Sequence, residues 1–416
     1  EIGLVCLHAS PVFERFGYRS LSRADVASFC KMDAAKAFLD ANHLVMDVIV
    51  VTMVVAALHR NYLHKAFTIG AGCVALSKVC EPTTLQYAAF ALVAYFVPPL
   101  LSPIYKKQPE TGAVFVTGAD SGMGEATVLH LCKTSGYERV YAGCFSPASE
   151  AKLRKQLDAE QGKKLKAVAL NVCDDASVAK AAQDVEKDLR ESGTGLVAVV
   201  QCAGMGYNGP GEFIPIEIYK KQMDVNFFGY VRVAQALMPL VRQGCKITKR
   251  RGRMVFTGTG GGVLTPVPPL LTAYMASKFA VEAFVRSFRV EMQLTEKPID
   301  ACIISPGFVK PTMLVENGLK LNEAMWADCQ KRLGTSQARD EYGPLLDRFI
   351  EYSLNEKGTH VSEVAKRIRL ALAAGRPLHG YKVGPDSRAT PVAGLLPVPV
   401  ADAVMKFSVF GRQGAF

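Results

Sequence analysis

The chain has 416 residues, enough for one large α/β unit with appendages or for two to three ordinary domains. Hydrophobic residues make up 49% and charged residues 21%, with 35 Gly and 22 Pro, a composition that excludes disorder, collagen and low complexity. The net charge of +11 and the mean hydropathy of +0.14 favour contact with anionic membrane surfaces. Residues 1–43 read as an N-terminal extension in which Arg15, Arg19 and Arg23 alternate with Ser and Phe, the composition of an organelle-import remnant on a chain that begins at Glu1. From Leu44 to Tyr105 only five charges occur in 62 residues, so 44–105 is expected to be a membrane segment with transmembrane helices. The uncharged run from Pro82 to Tyr105 is long enough to span, and Leu44 to Leu58 with its flanks gives a second span. Ala66 to Ser77 reads as either a short span or a buried or re-entrant hairpin. Lys106 and Lys107 mark the exit to a polar face.

Beyond Thr111, short β-branched runs alternate with helical periodicity. Strands are expected around Ala113 to Val116, Val140 to Ala142, Leu165 to Leu170, Leu196 to Val200, Arg253 to Phe256 and Asp300 to Ile304. Helices are expected around Ala126 to Thr134, Ala176 to Arg190, Ile216 to Val241 and Ala273 to Gln293. This alternation predicts an α/β domain over 106–385, a doubly wound parallel sheet of the Rossmann kind. Residues 312–375 read as helical and Gly380 to Val383 as a last strand. Residues 386–416 form an apolar C-terminal tail; its Thr390 to Val400 stretch, carrying Pro391, Pro397 and Pro399, is expected to be extended and to touch the membrane. The one clear basic run, Lys249-Arg250-Arg251, lacks interleaved aromatics, so it reads as a solvated loop and nucleic acid is not an expected partner. Eleven Cys without a C-x-x-C pair and seven His without zinc-ligand spacing give no metal site and favour reduced thiols.

The first strand runs into Thr117-Gly118-Ala119-Asp120-Ser121-Gly122-Met123-Gly124 and then a helix, the context of a dinucleotide phosphate loop. Gly118 permits the tight turn, Gly122 close approach to a pyrophosphate and Gly124 close helix packing, while the helix start, at Ser121 to Gly124, offers free N–H groups. Further on, Tyr274-Met275-Ala276-Ser277-Lys278 opens a helix. Positions i and i+4 share a face, so the Lys278 ammonium is expected near the Tyr274 phenol, lowering a pKa normally near about 10.

These motifs together resemble the short-chain dehydrogenase/reductase family over roughly Thr111 to Gly384. The match is carried by the T-G-x-x-x-G-x-G loop, by Asn226 in Val225-Asn226-Phe227-Phe228-Gly229, by Y-x-x-x-K, and by Pro306-Gly307-Phe308-Val309-Lys310-Pro311-Thr312. "VTGADSGMG", "YAGCFSP", "LNVC" and "VNFFG" are most similar to the membrane-associated branch with 11β-hydroxysteroid dehydrogenase type 2, retinol dehydrogenases and 3-hydroxybutyrate dehydrogenase. The resemblance implies hydride transfer between a nicotinamide and a carbinol carbon, with Tyr274 as proton acceptor, Lys278 and the oxidised nicotinamide stabilising its charge, Thr259 orienting the substrate oxygen and Asn226 holding a water. Implied cofactor contacts are Gly118, Ser121, Gly122, Met123, Gly124, Cys144, Asn171, Val172, Cys202, Ala203, Gly204, Tyr274, Lys278, Pro306, Gly307, Val309 and Thr312, the last four holding the nicotinamide carboxamide.

Two departures stand out. The family's N-N-A-G is Gln201-Cys202-Ala203-Gly204, losing amides that brace the adenosine side and the sheet centre. The catalytic Ser is replaced by Thr259, or by Thr257 two residues earlier on the same face, and the loop to Tyr274 is about two residues longer than the family's. Ala142-Gly143-Cys144-Phe145 offers no cation before Lys152 for a 2′-phosphate and no acid for a ribose hydroxyl, which favours NAD with NADP not excluded. A lid over Thr312 to Gly358, with Met313, Leu314, Met325 and Trp326, either lines an apolar pocket for a steroid-, retinoid- or hydroxyacid-like alcohol or ketone, or is simply core. The expected function is a membrane-bound oxidoreductase of hydrophobic secondary alcohols; the alternative is an accessory subunit of a larger membrane complex. Membrane lipid is an expected partner, a homodimer pairing through the Tyr274 helix is implied by the resemblance, and the mitochondrial inner membrane is favoured over the endoplasmic reticulum.

Overall fold

Seven strands join into one parallel sheet in the computed structural model, which describes residues 107–260, 267–295, 298–312, 323–332, 334, 336–393 and 396–410. The extension at 1–43 and the expected membrane segment at 44–105 lie outside the described residues. Among the described residues no helix is long and apolar enough to cross a membrane.

The chain alternates as the β-branched runs require. Strand β1 (Ala113–Thr117) leads to helix α1 (Gly122–Thr134), β2 (Arg139–Cys144), short helices α2 (Ser149–Arg154) and α3 (Ala159–Lys164), then β3 (Leu165–Ala169). Helix α4 (Asp175–Ser192), β4 (Leu196–Gln201), α5 (Ile216–Met223), α6 (Gly229–Thr248), β5 (Gly252–Thr257), α7 (Thr272–Leu294) and β6 (Ile299–Pro306) follow. A two-residue strand β7 (Val309–Lys310), helix α8 (323–332) and α9 (Gln337–Asn355) make the lid region, closed by β8 (Thr359–His360). Helix α10 (Val361–Ala373), β9 (Gly380–Val383), α11 (Pro385–Ala393) and α12 (Val398–Phe410) complete the described chain.

The strand order β3-β2-β1-β4-β5-β6-β9 reverses direction between β1 and β4, the switch point outside which such sheets bind ligands. Period-two alternation sends Ala113 and Phe115 of β1 to one apolar layer, with Val185 of α4, Tyr230 of α6 and Val285 of α7. Val114 and Val116 face the other, with Val128 and Leu131 of α1 and Ile368 of α10. A sheet covered on both faces needs strands that are buried throughout, as β1, β4 and β5 are.

Three expectations are corrected. The basic run is not a solvated loop: Lys249 is exposed, but Arg250 is 5% exposed and donates to the carbonyls of Pro109 and Leu372 at 2.6 and 3.0 Å. Arg251 pairs with Asp300, which also holds the fully buried Arg253. The tail is helical rather than extended over its described residues: Pro385 opens α11, and Pro397 and Pro399 flank the start of α12, where a proline loses no intrahelical bond, while Pro391 lies inside α11. The expected helix from Ile216 to Val241 runs on to Thr248 and is interrupted by a π-helical turn, Asp224–Phe228.

Candidate active site

The glycine-rich turn takes the backbone its sequence demands. Gly118 and Gly122 have φ of +65° and +59°, in the left-handed region, and a Cβ on Gly118 would lie 2.7 Å from the Cα of Ala203. A Cβ on Gly124 would collide with the Gly118 carbonyl. Thr117 closes this corner by accepting the N–H groups of Cys202 and Ala203, each at 3.0 Å, and so ties β1 to the segment after β4. Ser121 caps α1 through its backbone only, leaving the first-turn N–H groups and the positive end of a 13-residue helix facing the switch point. Thr312 reaches across to this turn, its Cγ2 3.6 Å from a Cβ position on Gly122, so both walls of a nucleotide cradle meet there.

The candidate reactive groups expected from the sequence lie on α7 and just beyond the end of β5. Lys278 is 5% exposed, donates to the carbonyl oxygen of Thr257 at 3.0 Å, and lies 5.3 and 5.9 Å from the ring centroids of Tyr230 and Tyr274. Burial pulls its ammonium down to about 8. Burial also pushes the Tyr274 phenol up to about 12, so the expected lowering by Lys278 does not hold in the chain alone: the ammonium is turned to the Thr257 carbonyl. Neither the Tyr274 hydroxyl nor the half-buried Thr259 hydroxyl makes a hydrogen bond among the described residues. The two threonines differ in their surroundings: Thr257 is fully buried, its hydroxyl donating to the Gln201 carbonyl at 2.9 Å and meeting the Tyr230 hydroxyl at 2.6 Å.

Asn226 sits in the π-helical turn with no exposure, and such turns widen a helix to aim a side chain. Its Oδ1 accepts the Met205 N–H at 2.8 Å, and its Nδ2 donates to the Met205 carbonyl and to the Ser277 hydroxyl, both at 2.9 Å. Ser277 in turn donates to the Tyr274 carbonyl, so Asn226 fastens the loop after β4 to the reactive helix. Gly204 in that loop leaves little room for a side chain, since a Cβ there would come within 3.3 Å of Asn226 Oδ1 and 3.8 Å of Lys278 Nζ. Gln201 is not a lost brace: its Nε2 donates to the Tyr230 carbonyl at 2.7 Å in the sheet centre.

On the adenosine side, Cys144 and Val172 are buried in the core layers, and Asn171 uses its side chain to accept the Cys173 N–H. Pro306 and Val309 are buried, and Met123 packs against the core. Two residues absent from the sequence expectation contact the segments at Gly260 and Gly307. Lys382 donates to the Gly260 carbonyl, and Asp386 accepts the Phe308 N–H at 2.6 Å while its carboxylate fills the space beside Gly307. No local motif marks these two, which reach the site from the far end of the chain. In the lid, Met325 and Trp326 are core, packed with Tyr207, Ile214, Leu346 and Phe349, whereas Met313 and Leu314 lie outside the described residues. Among the described residues no group of metal ligands occurs.

The short chain dehydrogenase family model matches residues 112–321, half of the chain. The chain belongs to the short-chain dehydrogenase family. It is accordingly an NAD(P)-dependent oxidoreductase. The mitochondrial D-beta-hydroxybutyrate dehydrogenase of Bos taurus is 31% identical over 65% of this chain and 76% of its own. Short-chain dehydrogenase/reductase family 9C member 7 of Homo sapiens is 30% identical over 70% of this chain and 88% of its own. Retinol dehydrogenase 5 of Homo sapiens is 29% identical over 70% and 87%. A short-chain dehydrogenase structure from Streptomyces avermitilis shares the fold with a TM-score of 0.53 at 19% identity, covering 74% of this chain and 100% of that one.

Proposed function

We propose that the chain is a membrane-attached dehydrogenase that moves hydride between NAD(H) and a hydrophobic secondary alcohol or ketone. The observation that carries this reading is the pairing of Tyr274 with Lys278, the latter held on the Thr257 carbonyl, two residues before Thr259. The turn of Gly118, Gly122 and Gly124, where an added Cβ on Gly118 or Gly124 would collide with backbone and where Gly122 faces Thr312, fits a dinucleotide. When bound, the nicotinamide accepts or supplies the hydride. The protein does the rest. Tyr274 exchanges the proton of the alcohol oxygen, Thr259 donates to and orients that oxygen, and Lys278 holds a positive charge that favours the phenolate as it forms. Asn226 keeps these parts in register through Met205 and Ser277. The dehydrogenases of hydroxybutyrate and retinol among the relatives support an alcohol substrate, and the apolar segment before Lys106 supports delivery from a bilayer. The mitochondrial inner membrane is the favoured site, with homodimerisation through α7.

Of the two features that favour the accessory-subunit alternative, Thr259 stands, while Gln201 and Thr117 hold the sheet centre and the segment after β4. The test is NADH formation by detergent-solubilised protein over secondary alcohols of increasing apolar length. Catalytic efficiency is expected to rise with length, and a profile confined to short polar hydroxyacids contradicts the hydrophobic substrate class.

A further inference from the structure

Strand β2 ends in Ala142-Gly143-Cys144 with no acid, yet the structure places one at that end from another part of the chain. Asp120, inside the glycine-rich turn, extends its carboxylate across the parallel β1–β2 pair. Its Oδ2 accepts the N–H of Phe145 at 3.0 Å, and its Oδ1 accepts the N–H of Ser146 and the hydroxyl of Ser149, both at 2.8 Å. A carboxylate offers four lone-pair sites, so these three bonds leave one on Oδ2. Asp120 is half-exposed, and Phe145 beside it is 74% exposed. Lys152, which donates to the Asp120 carbonyl at 3.1 Å, pairs with Glu125 at 2.6 Å, so its charge is already matched.

In this fold the end of β2 meets the adenosine ribose, where an acid accepts a 2′-hydroxyl and repels a 2′-phosphate. We infer that Asp120 is the specificity-determining residue for the nucleotide, selecting an adenosine ribose with a free 2′-hydroxyl and hence NAD(H) over NADP(H). This inference rests on the dinucleotide reading of the cradle above. It differs from it in naming a residue that the motif spacing places in the phosphate turn rather than after β2.

The test is calorimetric binding of NADH and NADPH to the full-length protein in detergent, without substrate, for the wild type and for Asp120→Asn, Asp120→Ser and Ser149→Ala. The wild type is expected to prefer NADH by about 10- to 100-fold, the worth of a hydrogen bond to a charged group. Asp120→Asn should erase most of that preference mainly by tightening NADPH. Ser149→Ala, which removes one bond and keeps the charge, should leave the preference within about threefold. Asp120→Ser decides the point if Asp120→Asn does not fold. Equal weakening of both nucleotides by the Asp120 variants would make the residue only a fastener of the Phe145 turn and overturn the inference. A wild type that prefers NADPH, with Lys152→Met reversing the preference, would overturn it while leaving the dehydrogenase reading intact. Binding of neither nucleotide would bring down both.

Discussion

Thr259 stands where the resemblance to the family expects a serine. Its hydroxyl carries no internal bond among the described residues, while that of Thr257 is shared between Gln201 and Tyr230 in the core. Thr259→Ala should therefore lower kcat by about 10²–10³-fold, as loss of a donor to a reacting oxygen does, and Thr259→Ser should retain turnover. Thr257→Val should instead lower the denaturation midpoint, because it strands buried partners at about 1–3 kcal/mol. Equal kinetic losses at both positions, without destabilisation at 257, would contradict this assignment. Lys278 gives a pH signature. Its folded-state value of about 8 lies below the ordinary 10.5, so the unfolded chain binds the extra proton between those values. The resulting stability penalty is complete below pH 8 and fades as the pH rises to 10.5. Denaturant titrations should show Lys278→Met most favoured relative to wild type below pH 8, with the advantage shrinking through that window. A difference independent of pH would mean that the ammonium is not buried.

At the scale of elements, the π-helical turn between α5 and α6 and the N-terminal half of α7 act as one unit, joined by Asn226, Met205 and Ser277. Asn226→Ala leaves both polar groups of the Met205 backbone without that partner, so it should cost about 1–3 kcal/mol and weaken nucleotide binding together with turnover. Thermal melts and NADH titrations check this, and an unchanged melt with lost turnover would assign Asn226 a direct chemical role instead. Much of this unit is legible in the sequence. Gly118, Gly122 and Gly124 follow a strand, and Tyr274 and Lys278 are one helical turn apart, so short-range geometry is enough to read them. What is not legible comes from long-range pairing. The Asp120 carboxylate meets Phe145 and Ser146 only after β1 and β2 pair, Gln201 finds the Tyr230 carbonyl only after α6 packs, and Asp386 reaches Phe308 from 78 residues away. Composition alone leaves Met325 and Trp326 open between pocket and core, and their packing places them in a core cluster.

Across the whole molecule, the end of the sheet opposite the site is closed by charge. Arg253 has no exposure and donates to Asp300 and to the carbonyls of Ala371, Ala374 and Gly375, while Arg250 and Arg251 tie Gln108 and Pro109 to the same end. The chain thus enters the domain at a clamped corner directly after the charge-poor block that ends at Tyr105. Removing the shared carboxylate leaves the buried Arg253 guanidinium without its counter-charge, so Asp300→Ala should destabilise by about 3–5 kcal/mol. A loss below about 1 kcal/mol in chemical denaturation would show that the backbone carbonyls alone hold Arg253.

Proton exchange at Tyr274 in a working nucleotide site can be checked by comparing wild type with Tyr274→Phe in two measurements on one preparation: NADH affinity and NADH formation from a hydrophobic secondary alcohol. The expected result is turnover reduced by at least about 10²-fold with nucleotide affinity nearly unchanged, because the hydroxyl acts on the substrate and not on the pyrophosphate. Turnover surviving within about tenfold of wild type, at equal nucleotide affinity, would contradict it.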